Sequence, residues 1–526
     1  MPDPVQPAVP APAVSDPQTL DEDIGGRITL GGRSLRSHTA RGTIVNGVFL
    51  IGLYSLSLIR GFVVAVFLSV SDFGLWGLIV ITLTTIVWLK QVGVGDKYVQ
   101  QAEPDQEAAF AKAFTLELIF TGVVMVLALV AIPIAALVYG QTRVIAPGLV
   151  LVLALPATAL QAPLWIYYRR MDFVRQRKLQ AIDPLVAFVV TVTLAAAGAS
   201  YWSLVVGVAA GAWAGALVAV RATPVRLALR YDARTMREYV SFSLPVMVAS
   251  GTGIVLAQSS ILVGEQVLGL AGVGFIVLAA TISDYTNRVD AIVTETLYPA
   301  ICAVRDRTEI LAESFVKSNR LALMWGMPFG IGLALFAPDL VEFVLGSRWR
   351  PGVTLIQAFG AIAAVSHIGF NWDAFYRARG ETRPLGIAAA ATMIAFLAIA
   401  IPLLVVDHLD GLAIGMGIVV AINLAVRGFY LTRLFPGLRF VRHGVRAIAP
   451  TVPAVLAVLA ARALETGSRD PVEALLELVV FVAVVAAATW WLERGLLREV
   501  IGYLRRVRPA PRRFGDDGAP SVGDAG

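Results

Sequence analysis

Long apolar runs alternate with short polar turns from Gly42 to Leu492. About 20 apolar residues in a helix cross the hydrocarbon core of a bilayer, and the pattern predicts fourteen such spans. Six run over Gly42–Val70, Phe73–Val92, Ala113–Val138, Ile145–Tyr167, Leu179–Ala197 and Tyr201–Val220. Six more follow at Leu244–Val263, Val267–Arg288, Leu321–Leu345, Val353–Tyr376, Leu385–Val405 and Leu412–Leu434. Ala447–Ala463 and Pro471–Leu492 close the series. The expected fold is therefore an all-α integral membrane protein with two six-helix lobes, 41–222 and 244–436, and two C-terminal helices within 437–495. An amphipathic linker at 223–243 joins the lobes; there Val225, Leu227 and Leu229 alternate with arginines, as in a segment lying at lipid headgroups. The stretches 1–40 and 496–526 read as disordered cytoplasmic tails, the second of them basic.

Weak internal symmetry accompanies the two lobes. DFGLWGLIVI (Asp72–Ile81) opens the second span and AGVGFIVLAA (Ala271–Ala280) the eighth, with Gly74 and Gly274 at equivalent points. Charge then orients the spans. When alternate loops are assigned to alternate sides, one side takes nearly all the lysines and arginines, including Arg169, Arg170, Arg175, Arg177 and Lys178 in one loop. The other receives Arg143, Arg348, Arg350, Arg462 and Arg469. By the positive-inside rule the basic side, with both termini, is cytoplasmic.

Composition agrees with a multi-pass membrane protein: 57% of residues are hydrophobic and 15% charged, against about 25% charged in soluble domains. The net charge of +6 is spread over many short loops and does not mark a nucleic-acid surface. Cys302 is the single cysteine and the four histidines are scattered, so neither a disulfide framework nor a metal-ligand pattern is present. Walker A, HExxH and GxSxG motifs are absent, and the outer connections are too short to hold a catalytic domain. These features point away from an enzyme and from a bound cofactor.

A few polar residues interrupt the apolar runs. Arg60 lies about 13 Å from the outer end of the first span at the helical rise, deep enough to need a protein or watery surrounding. It either faces a central cavity and binds a phosphate, which a guanidinium can clamp with two parallel bonds, or pairs inside the bundle. Arg288 closes the eighth span, either as a substrate contact or cytoplasmic gate or as part of a solvated helix end; Asp284 stands four residues before it on the same helical face and can pair with it. Glu117 and Asp284 are the candidate coupling carboxylates for H+ or Na+. His367, Asn371 and Asp373 mark the tenth span, either as a cavity lining or as interhelical hydrogen bonds.

The first two spans, with an arginine late in the first and SDFGLWGL leading into the second, resemble the polysaccharide transporter family of Wzx-like lipid-linked oligosaccharide flippases. YYRRMDFVRQRKLQAID, AAGASYWSLVVG and YVSFSLPVMVASGTGIVLAQ extend the resemblance, which covers about Thr39 to Pro436. The family sits in a superfamily with MATE-type multidrug exporters and the lipid II flippase. The resemblance implies two bundles around a central cavity that opens to each side in turn. It also implies a polyprenyl-pyrophosphate oligosaccharide cargo, flipped across the bacterial inner membrane for exopolysaccharide, capsule or O-antigen synthesis. Membrane lipids and the polymerase and export machinery of such a pathway are the expected partners. Cationic cavities in the family match Arg60. A cation-coupled multidrug exporter is the alternative, and it would call for an acidic cavity.

Overall fold

The computed structural model describes residues 49–507 except 50, 51, 54, 89–93, 101, 102, 171, 304–306, 382 and 466–468, with the helical backbone alone at 88, 96, 100, 173, 238, 240–253, 287–293, 295–300, 302, 303, 441, 447, 500, 501 and 503–507. The tail expected at 1–40 and the residues after 507 lie outside the described residues. Every regular element among the described residues is helical. Nine of these helical stretches are long and apolar enough to cross a membrane, and two shorter apolar helices join them.

The first hairpin pairs α1 (Ser55–Phe67) with α2 (Val70–Trp88). Its polar turn caps α2: Ser69 Oγ donates to Asp72 (2.8 Å) and accepts from the Asp72 N–H (3.1 Å), satisfying a backbone donor that the first helical turn leaves open. A short α3 (Val94–Gln100) leads to α4 (Gln106–Val138), which Asp105 caps by accepting from the Ala108 N–H at 3.0 Å. Where the hydrophobic pattern predicts one span over Ile145–Tyr167, the chain instead makes α5 (Ile145–Val152), α6 (Leu155–Ala159) and α7 (Leu164–Arg169). Pro156 and Pro163 stand at the start of the second and third pieces. Having no N–H, each ends the ladder before it and suits the first turn after it.

After α8 (Phe173–Gln180), α9 (Ile182–Ala196) and α10 (Trp202–Ala222) form a close hairpin. Gly207, Gly211 and Gly215 recur every four residues on α10 and face Thr191, Ala187 and Asp183 on α9; a Cβ on Gly211 would fall 2.6 Å from the Asp183 carbonyl oxygen. Small residues at this spacing let helix backbones touch. The linker then packs on the first lobe through half-buried Val225 and Leu227, while Arg226 points out.

Two pairs of expected spans are continuous helical stretches that double back at one residue. In α11 (Ala233–Ala303) the reversal is at Gly269 (φ 67°). Its consequence is that the position of a Cβ on Gly264 lies 2.8 Å from Ile276. Next come α12 (Thr308–Asp339), α13 (Val353–Ser366), α14 (Trp372–Ala378) and α15 (Arg383–Ala395). In α16 (Ile401–Leu434) the reversal is at His408 (φ 57°), and Gly415 returns against Ala400. A short amphipathic α17 (Phe440–Ile448) precedes α18 (Val452–Leu464) and α19 (Pro471–Val507). The last helix breaks at Glu493 and runs on through the first part of the segment expected as a basic tail.

The largest core joins the two lobes at one end. It gathers Leu68, Phe73, Leu75 and Leu78 with Val273, Phe275, Leu278 and Trp349. Trp349, fully buried, sits edge-on to Phe73 and to Phe275, at 5.5 and 5.9 Å. Each ring neighbours one of the two equivalent glycines. Those glycines pack across the interface: a Cβ on Gly74 would lie 1.8 Å from the Leu270 carbonyl oxygen, and one on Gly274 2.3 Å from that of Val70. Trp349 Nε1 donates to the Ala65 carbonyl (3.1 Å), as does Arg348 (3.1 Å). Tyr139–Gln258 (3.2 Å) and Gln141–Glu265 (3.0 Å) add further cross-lobe bonds. Every residue in this seal belongs to the arginine-poor end, called the outer end below.

Candidate substrate site

Arg60 is a half-buried residue of α1. It lies within electrostatic reach of Asp183 of α9 and of Tyr285 in the second half of α11, one from each lobe. No described carboxylate forms an ion pair with it within 4 Å. Asp183 is held elsewhere: Gln161 Nε2 donates to its Oδ2 at 3.1 Å and to the Ala212 carbonyl at 3.3 Å. Gln161 is in the break between α6 and α7, so the interrupted fourth span is what brings an amide to this carboxylate. Asp183 in turn sits in the notch left by Gly211 and Gly215. Neither Gln161 nor Asp183 was expected from the sequence; the four-residue glycine spacing on α10 is the signal that leads to both.

The opposite face of α1 is apolar. Leu58 and Phe62, two residues to either side of Arg60, line a groove of about 860 Å³ with Ile282, Trp325, Phe329 and Phe481. The groove runs between α12 and α19, from Pro471 to Thr489 on the latter. Its outer end is closed by ions. Asp339 accepts from Arg462 (2.9 Å) and Arg469 (2.5 Å), and the same arginines bind Glu477 at 3.1 and 2.5 Å. This cluster ties the last two spans to α12. Glu342, three residues after Asp339, pairs with Arg350 on the surface (2.8 Å).

The remaining candidates fall in other places. His367 and Asn371 are 0% and 1% exposed and sit in the break between α13 and α14, inside the second lobe. The His367 ring nitrogens face the carbonyls of Ala363 (2.5 Å) and Thr286 (3.1 Å). Asn371 donates to Ser318 (2.7 Å). Asn319 stitches the same break, donating to the His367 carbonyl (2.9 Å) and accepting from Gly369 N–H (3.1 Å) and His443 (2.6 Å). Asp373 is half-buried, and its part-exposed carboxylate pairs with Arg377 at 2.8 Å. The structure thus uses His367 and Asn371 in interhelical bonds. Glu117 is buried on α4, Asp284 is exposed beside Tyr285, and the Arg288 side chain lies outside the described residues.

Two apolar lobes sealed at one end, a cation between them and a groove along the membrane-spanning helices define a membrane transporter. A structure of the lipid II flippase MurJ in an inward-closed conformation aligns over 86% of this chain and 100% of its own, with 12% identity and a TM-score of 0.62. A MOP superfamily transporter from Pyrococcus furiosus aligns over 75% and 96%, with 12% identity and a TM-score of 0.55. An inward-facing multidrug resistance MATE family transporter aligns over 77% and 97%, with 14% identity and a TM-score of 0.52. The sequence pattern of the family described as polysaccharide biosynthesis protein matches residues 63–354, and the chain belongs to that family. An uncharacterized membrane protein in the cps region of Klebsiella pneumoniae is 22% identical over 205 residues, 39% of this chain; the match spans 42% of that relative's length.

Proposed function

We propose that the protein flips polyprenyl-pyrophosphate-linked oligosaccharide repeat units across the bacterial inner membrane by alternating access. The observation that carries this reading is the division of labour on α1. Arg60 lies within electrostatic reach of both lobes, while Leu58 and Phe62 line the apolar groove. One helix therefore separates a place for an anionic head from a place for a hydrocarbon chain. A soluble sugar phosphate would need only the first, and a lipophilic drug only the second. The fold shared with a lipid II flippase and the relative from a cps region support a lipid-linked saccharide as cargo.

The energetics follow from the parts. A pyrophosphate and its sugars cannot cross hydrocarbon bare; a guanidinium makes charge-assisted bonds that replace part of their hydration. Export of negative charge works against the membrane potential by about 2.3 kcal/mol per charge per 100 mV. A coupling ion, H+ or Na+, offsets that work, and Asp183 beside Arg60 joins Asp284 as a carboxylate suited to it. With the outer end sealed, the space between the lobes loads, in this reading, from the arginine-rich side, which we take as cytoplasmic.

The test is transfer of a fluorescent polyprenyl-pyrophosphate oligosaccharide between leaflets of proteoliposomes. Arg60→Ala is expected to slow transfer at least about tenfold, the worth of one charge-assisted bond pair. Arg60→Lys should fall between, because an ammonium lacks the two-pronged fork. A folded Arg60→Ala protein that transfers at the wild-type rate would contradict the assignment.

A further inference from the structure

The inner end of the groove holds a second basic site. Arg320 of α12 pairs with Glu493, the residue at which α19 breaks. The two side chains are 19% and 6% exposed, yet Arg320 Nε is buried with no hydrogen-bond partner. Arg446, exposed on α17, lies close enough to act on Arg320 and on His443. A pocket of about 10 Å³, the size of one water, lies among Arg320, Arg446, Glu493 and Thr489. It shares Met324, Pro328 and Thr489 with the apolar groove, and Thr489 Oγ1 is also buried there without a partner. Two guanidiniums against one carboxylate leave this end positive. His443 reports that field: burial, then Arg320 and Arg446, push its imidazole down to about 4.

We propose that Arg320 and Arg446 form a docking site for the phosphate of a polyprenyl phosphate lipid whose chain lies in the groove, occupied before the headgroup reaches Arg60. The inference rests on the flippase reading above. Groove length selects the occupant. From Pro471 to Thr489 the groove follows α19 for about 27 Å, close to the full hydrocarbon thickness of about 30 Å. The chains of an ordinary phospholipid fill one leaflet, half of that distance. A single long isoprenoid chain fills the whole groove and leaves its phosphate at the inner end. To seat there, the phosphate takes the place of the Glu493 carboxylate on Arg320. The break in α19 at Glu493 (φ −116°, ψ 15°) is where that carboxylate can turn away.

Binding of undecaprenyl monophosphate to the purified full chain in detergent tests this, read by native mass spectrometry. Undecaprenol, farnesyl phosphate and phosphatidylglycerol serve as controls. Arg446→Gln, an exposed substitution, is expected to weaken undecaprenyl monophosphate about tenfold and leave undecaprenol unchanged. Glu493→Gln, which removes the competing carboxylate, should bind the monophosphate at least as tightly as wild type. Farnesyl phosphate should bind more weakly than the long chain. Unchanged affinity in Arg446→Gln overturns the proposal, as does equal, Arg446-dependent binding of phosphatidylglycerol. If either occurs while Arg60-dependent flipping persists, the dock fails and the flippase reading stands. If wild type binds no polyprenyl phosphate and flips none, both fail together.

Discussion

Arg60 and His443 show how one charged or chargeable side chain is set by its surroundings. Arg60 has no ion pair within 4 Å among the described carboxylates, and in the proposed cycle its charge serves the anionic head. His443 is buried, touches Asn319 and stands in the field of Arg320 and Arg446, so it is neutral in the folded protein. Its folded value of about 4 lies below the ordinary 6.5, so the unfolded chain binds the extra proton between those pH values. The stabilisation is complete above pH 6.5 and is lost as pH falls toward 4, by about 3 kcal/mol in all. Thermal unfolding in detergent should show a midpoint that drops over this window, and His443→Gln, which retains a donor toward Asn319, should flatten the drop. An equally steep drop in the variant would remove His443 as its source. At this scale the sequence marks a charge where it interrupts an apolar run, as at Arg60. It was silent on Asp183 and Gln161, because their meeting depends on a helix break and on glycines in a different helix. Asn319 was missed for the same reason: its partners lie some 50 and 124 residues away.

Elements show which charges hold helices and which decorate them. Glu477 is 6% exposed and shared by Arg462 and Arg469, which link α19 to α18 and to Asp339 of α12. Glu342 and Arg350 are 45% and 62% exposed. Removing a charge from a buried network strands its partners and costs about 3–5 kcal/mol, whereas an exposed pair contributes about 0–1 kcal/mol. Because the arginines here are partly solvated, Glu477→Gln should cost about 2–3 kcal/mol, seen as a lower unfolding midpoint and faster proteolysis of the last two spans. Glu342→Gln should cost about 0.5 kcal/mol or less. Equal costs would show that the outer cluster does not fasten α18 and α19. Hydrophobic periodicity located these helices well, since lipid imposes a long apolar run on any span. It missed the fragmentation into α5, α6 and α7, where tertiary neighbours complete the backbone hydrogen bonds that proline interrupts. It also separated α11 and α16 into two spans each without showing that a single residue, Gly269 or His408, makes each reversal.

At the scale of the molecule, the weak sequence likeness between Asp72–Ile81 and Ala271–Ala280 becomes a contact. Gly74 and Gly274 meet across the lobes and Trp349 fills the space between Phe73 and Phe275. In the proposed transport cycle this seal is the contact that parts when the space between the lobes opens outward. Gly74→Val should force α2 from the Leu270 carbonyl, costing the sealed state about 1–3 kcal/mol. Amide exchange over 268–276 should rise while that over 323–327, on α12 away from the seal, stays unchanged. Uniform loosening of both segments would point to general misfolding instead of an opened gate.

The central claim is that the cargo is amphiphilic, with an anionic head and a polyprenyl chain. It is tested most directly by giving wild-type proteoliposomes two substrates under the same ion gradient: a fluorescent polyprenyl-pyrophosphate oligosaccharide and a cationic dye. Protein-dependent transfer of the lipid-linked sugar, without dye efflux, is the predicted result. Dye efflux with no transfer of the lipid-linked sugar would contradict it and make the protein a multidrug exporter on the same fold.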